Sequence, residues 1–149
     1  MKRIVIVAIL VLAALAVYGQ SNEFVDGLIG SKSVTFGQVS YLVLVSSDNI
    51  SEDADSARAF ELLSNMGWAP ARAKVDTPIR LDEYALILSK AFGLKGSIMM
   101  GILPSPHSAY HNLAALQVIQ GRTDPGMEVS GIQAVQMLGR VFDVLGLNK

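Results

Sequence analysis

The side chains best suited to chemistry lie in one stretch, Trp68 to Glu83. Trp68 stands near Arg72, Lys74 and Arg80, and Glu83 follows one helical turn after Arg80. An aromatic plate beside cations holds sugar rings by stacking and anionic groups by bidentate hydrogen bonds. The residues expected to carry binding are therefore Trp68, Arg72, Arg80 and Glu83. The plainer alternative is that Trp68 is a lid over the core, because large aromatics in small domains are usually well buried. Asp82 and Glu83 are neighbours in sequence rather than carboxylates facing each other across a cleft, and Glu83 has a helix-capping role.

Other candidates are weaker. His107 and His111 are four residues apart and share a helix face, but no third ligand stands at matching spacing. They read as solvent-facing or hydrogen-bonded histidines, and no metal is expected. Arg122-Thr123-Asp124 offers groups for a sugar or an anion, yet Asp124-Pro125-Gly126 is favourable turn chemistry with no ligand at all. Met99-Met100 reads as core filling before it reads as a partner surface. No nucleophile elbow and no glycine-rich phosphate loop appears. The expectation is a chain with no catalytic residues and no cofactor, not an enzyme.

These residues need elements to hold them. Ser105-Pro106 is a helix start, with a capping hydroxyl and a proline at the first helical position. Apolar spacing then carries a helix toward Gly121, and Ser130 with Gln133 marks a capping box for the next. That last helix has the stripe Ile132, Val135, Leu138, Val141, Phe142 and Leu145. Upstream, residues 21–33 read as a brief helix or turn, and Thr35 with Gln38 repeats the capping spacing. The Val39–Val45 segment is rich in β-branched residues and is ambiguous by itself; analogy with the later helices makes it a helix. Ser51 is the expected cap of a helix carrying Ala57, Phe60, Leu62, Leu63 and Met66 and ending at Gly67. Ile79 to Leu94 is expected as the next helix.

The fragments align as three units of about 22–50, 51–95 and 105–147. Each has a helix, a glycine (Gly30, Gly67, Gly121), a loop, a small apolar residue (Val34, Ile79, Val129), a cap position and a longer helix. One such unit cannot bury its own apolar face, so the three must pack together. The expected fold is all-α, three helix–loop–helix repeats in one domain over residues 20–149.

Residues 1–19 are set apart. Lys2-Arg3 is a basic start, Ile4 to Val17 is an unbroken apolar run, and small residues follow. This is the pattern of a secretory signal peptide, cleaved after Ala16 or Gly19. The run is shorter than the ~20 residues of a membrane span, so membrane attachment is expected only through an uncleaved signal segment. The chain has no cysteine, which excludes disulfides, thiol catalysis and acylation at a lipoprotein cysteine. Twelve basic residues face thirteen acidic ones. Without Lys2 and Arg3 the balance is ten against thirteen, about −3, which argues against a nucleic-acid partner.

Two stretches, Met66 to Leu94 and Val118 to Val141, resemble the S-layer homology motif. Its marks are a first helix ending in Gly, a loop with an Asp-Pro turn, an Ile-Thr-Arg-Ala-Glu-like start and a second helix ending in a Leu-x-x-Ala-Leu-Gly-like sequence. The resemblance is weaker in the first unit. It implies a compact three-unit assembly attaching exported proteins to cell-wall polymer, with the Arg of the Thr-Arg-Ala-Glu segment contacting the anionic polymer. This chain departs at that position: Arg80 stands one place early before Glu83, and the other units read Thr35-Phe36-Gly37-Gln38 and Ser130-Gly131-Ile132-Gln133. Recognition is therefore expected in the middle unit. The expected function is that of a non-catalytic envelope protein of the periplasm or cell surface, binding peptidoglycan-associated polymer or an envelope protein. The alternative is a structural protein acting by self-association or by packing on a membrane-associated partner.

Overall fold

The computed structural model describes residues 23–94 and 104–147, and the segment is all-helical. The expected signal peptide and the Met99-Met100 connector lie outside the described residues. We label the helices α1 (residues 23–29), α2 (Phe36–Ser46), α3 (Ser56–Asn65), α4 (Leu81–Phe92), α5 (Pro106–Ala115) and α6 (Gly131–Leu145). The ambiguous Val-rich segment is thus helix α2. Burial on packing outweighs the strand preference of its β-branched residues, and Val39, Val43 and Leu44 are fully enclosed. Helix α2 packs on α3 and α4 packs on α5. No helix among the described residues is long and apolar enough to cross a membrane.

The core is joined at the starts of the three longer helices. Val34 N–H donates to Val129 O at 2.8 Å, Val129 N–H to Ile79 O at 3.2 Å, and Ile79 N–H to Val34 O at 3.0 Å. These bonds close a ring, and all three side chains are fully buried. Each ring residue directly precedes a helix cap: Thr35, Arg80 or Ser130.

The first N–H groups of any helix lack partners within it. Here loop carbonyls from another segment supply them. Phe36 and Gly37 donate to Thr77 O and Val75 O, Leu81 and Asp82 to Met127 O and Pro125 O, and Gly131 to Ser31 O. This approach is so close at Gly131 that a Cβ there would lie 1.5 Å from Leu28 O. Only a residue without a side chain fits.

Side-chain caps complete the starts. Thr35 and Gln38 form the reciprocal box, with Thr35 N–H on Gln38 Oε1 at 3.0 Å and Gln38 N–H on Thr35 Oγ1 at 3.3 Å. Ser105 Oγ accepts from Ser108 N–H and Ser130 Oγ from Gln133 N–H. The start of α3 corrects the sequence reading. Its cap is Asp55, whose carboxylate accepts from Arg58 N–H at 2.8 Å, while Ser51 closes a turn with Ala54. Helix α4 likewise begins at Leu81, because Ile79 is held extended by the ring.

The ends of α2 to α6 share one device. A left-handed residue follows the last turn, and the next N–H reaches five residues back. Trp68 N–H bonds Leu63 O behind Gly67, and Val118 N–H bonds Leu113 O behind Gln117. Helix α5 therefore stops at Ala115, six residues before the expected Gly121, and a glutamine takes the position that Gly67 fills after α3. Two stripes also differ from expectation. Ile132 is 52% exposed and Leu145 is exposed, because α6 turns Ala134, Met137, Leu138 and Val141 inward. Helix α3 buries Ala59 and Leu63, leaving Ala57 and Met66 exposed.

Candidate functional site

The loop after α3 and the first two turns of α4 place the candidate residues. Glu83 is at the third position of α4, where its Oε2 accepts from the Arg80 backbone N–H at 3.0 Å. Its Oε1 accepts from Arg72 Nη2, which spans from the loop. Glu83 is nearly enclosed, its side chain 7% exposed, while that of Arg72 is 50% exposed. One carboxylate thus caps a helix and anchors a loop cation.

Arg80 is engaged differently. Its Nε and Nη2 grip both oxygens of Asp82 at 3.1 and 2.7 Å. Asp82 Oδ1 also accepts from Glu83 N–H at 2.8 Å. The hydrogen bond to Asp82, and then its charge, hold the Arg80 guanidinium above its ordinary range. Arg80 is a fixed cation already matched to a carboxylate.

Trp68 is half-buried against the core and lines a groove of about 250 Å³. Pro70, Leu86, Glu83 and Pro106 share that groove. The structure therefore brings Trp68 and Glu83 together and ties Arg72 to Glu83. It does not bring in Arg80, which is absent from the groove lining and is held on Asp82. The indole is neither a fully sealed lid nor a free plate. Lys74 is exposed, and its backbone N–H bonds Thr77 Oγ1.

Sequence reasoning missed three participants. Asp82 binds both guanidinium donors of Arg80 that face it, across an i, i+2 spacing that usually separates side chains. Leu86 follows Glu83 by one turn and had helical spacing as its only signal. Pro106 belongs to the next helix, and only tertiary packing carries it to Trp68.

The remaining candidates fall into plain roles. His107 and His111 are exposed and stack edge to face at 4.4 Å. Among the described residues no three His, Asp or Glu side chains are grouped to hold a metal ion. Asp124 Oδ1 accepts from Gly126 N–H at 2.7 Å, a side-chain-closed turn. Thr123 is bonded by the Tyr110 hydroxyl, at 2.8 Å to its Oγ1. A second, wider groove is lined by Ser31, Thr35, Gln38, Ser56 and Asp76, with Ser33 Oγ buried there without a hydrogen-bond partner. None of its lining residues is aromatic.

What this arrangement can do chemically is bind. It presents an indole face, an apolar floor and one carboxylate whose oxygens keep spare acceptor capacity. Compared with protein-family models, curated proteins and solved structures, the chain matches none.

Proposed function

We propose that this chain is a non-catalytic, exported protein of the cell envelope, built from three helix–loop–helix units of the S-layer homology kind. It binds peptidoglycan-associated polymer or an envelope protein through the Trp68 groove. The observation that carries the reading is the ring of Val34, Ile79 and Val129. These are the three positions that the sequence alignment makes equivalent, each followed by a cap and a longer helix. A closed cycle of bonds among those three positions supports a pseudo-threefold assembly. The signal-like start of the chain and the resemblance at Met66 to Leu94 and Val118 to Val141 support the envelope assignment.

The test is co-sedimentation of the purified protein with peptidoglycan sacculi, with their attached polymer intact or stripped, alongside retention on immobilised envelope proteins. Saturable retention on either is the expected result. Failure to bind any of these would overturn the reading. A second reading, self-association, is favoured by the exposed Ile132, Val144 and Leu145 on α6. Sedimentation as a monomer at high concentration would dismiss it.

A further inference from the structure

The binding reading above, on which this inference rests, leaves the ligand's chemistry open, and the charges around the groove narrow it. Glu83 is the one charged residue in the lining. Its charge is balanced from within: Arg72 Nη2 lies on Oε1 and the Arg80 N–H on Oε2. The Arg80 guanidinium turns two of its donors to Asp82 and stands outside the lining. Arg72 and Arg80 keep further N–H donors, but neither lines the groove, so a carboxylate or phosphate seated on Trp68 would meet the Glu83 carboxylate and no cation in the lining. A cationic ligand gains little either, because Arg72 already neutralises Glu83. What the groove offers freely is the Trp68 face, an apolar floor at Pro70, Leu86 and Pro106, and the unused acceptor positions of Glu83.

We propose that the groove takes an uncharged pyranose ring, stacked on Trp68, with a hydroxyl or acetamido N–H donated to Glu83. The recognised polymer is a neutral glycan strand and not a polyanion. The volume of about 250 Å³ lies just below the usual range of sites for whole small ligands and suits one ring of a longer chain.

Trp68 is the only tryptophan in the chain, so its emission reports this groove alone. The protein is titrated with an N-acetylglucosamine tetrasaccharide and, separately, with a hyaluronan tetrasaccharide, in which the same sugar alternates with a carboxylate-bearing one. The neutral probe is expected to give a saturable change in Trp68 emission that barely responds to added salt. By calorimetry, Trp68→Ala should weaken it about tenfold, with Trp68→Phe retaining part of the affinity. Tighter binding of the acidic probe, with an affinity that falls as salt rises, would overturn the proposal. So would wild-type emission that does not respond to the neutral probe. If sacculi still retain the protein in that last case, the neutral-sugar inference falls and the binding reading stands. If sacculi and envelope proteins also fail to retain it, both fall.

Discussion

Replacing Gly131 by alanine probes the closest approach at any glycine among the described residues. The new Cβ would lie 1.5 Å from Leu28 O and 2.5 Å from Leu28 C, both backbone atoms that no rotamer change can move. Real Cβ atoms keep at least 3.0 Å, so the start of α6 and residues 28–31 must separate. That separation pulls on the Gly131 N–H bond to Ser31 O at 2.9 Å and on the neighbouring ring bond from Val34 N–H to Val129 O. Two such bonds contribute about 0.5–1.5 kcal/mol each, and forced overpacking adds about 1–3 kcal/mol. Alanine returns at most about 1 kcal/mol through helix propensity. The net loss is about 3 kcal/mol, or ~10 °C in Tm for a domain of this size. Gly139→Ala on the same helix is the control, since a Cβ there meets nothing within 4 Å. It should stabilise by about 0.5–1 kcal/mol. Urea unfolding followed by far-UV ellipticity and Trp68 emission measures both. A Gly131→Ala midpoint at or above that of the wild type would refute the reasoning, as would equal losses from the two substitutions.

Asp55→Ala should cost about 1 kcal/mol, because the carboxylate is the cap of α3; Ser51→Ala should leave the urea midpoint unchanged. Burial pushes the Tyr84 phenol up, and its O–H donates to Ala134 O at 2.8 Å. The folded chain therefore keeps a proton that unfolded tyrosine releases near pH ~10. Stability should hold below that pH and fall above it, by at most about 1.4 kcal/mol per pH unit from this group. Tyr84→Phe should flatten that alkaline loss in urea titrations and cost about 1 kcal/mol at neutral pH. Tyr41, raised by burial and then by Glu52 and Asp53, adds to the alkaline loss in the same direction.

Much of the helical frame was legible because its signals are local. Thr35, Ser105 and Ser130 announce helix starts through hydroxyls that reach only three residues ahead. The α3 start was misplaced because Ser51 and Asp55 both qualify locally, and the turn between Ser51 and Ala54 decides in favour of Asp55. The end of α5 was misplaced for a different reason. A glutamine in the left-handed region carries no compositional signal, whereas Gly121 does. Val34, Ile79 and Val129 read as matching positions, but their mutual hydrogen bonds span 45 to 95 residues and no local pattern encodes them. The same holds at the candidate site. Trp68 and Glu83 stood out by type, while the pairing of Arg80 with Asp82 and the arrival of Pro106 depended on the folded chain. The sequence suggested a cluster of cations around an aromatic, and two of them, Arg72 and Arg80, turn out to be paired with acidic neighbours.

The reading of the chain as one body closed on itself is tested most directly by native-state hydrogen exchange at the amides of Val34, Ile79 and Val129. If the ring joins three units into one cooperative structure, these three amides exchange only through global unfolding and share one free energy, equal to that from urea unfolding. If Val34 and Val129 exchange through a lower-energy opening while Ile79 stays protected, the ring does not hold the units together and the account is contradicted.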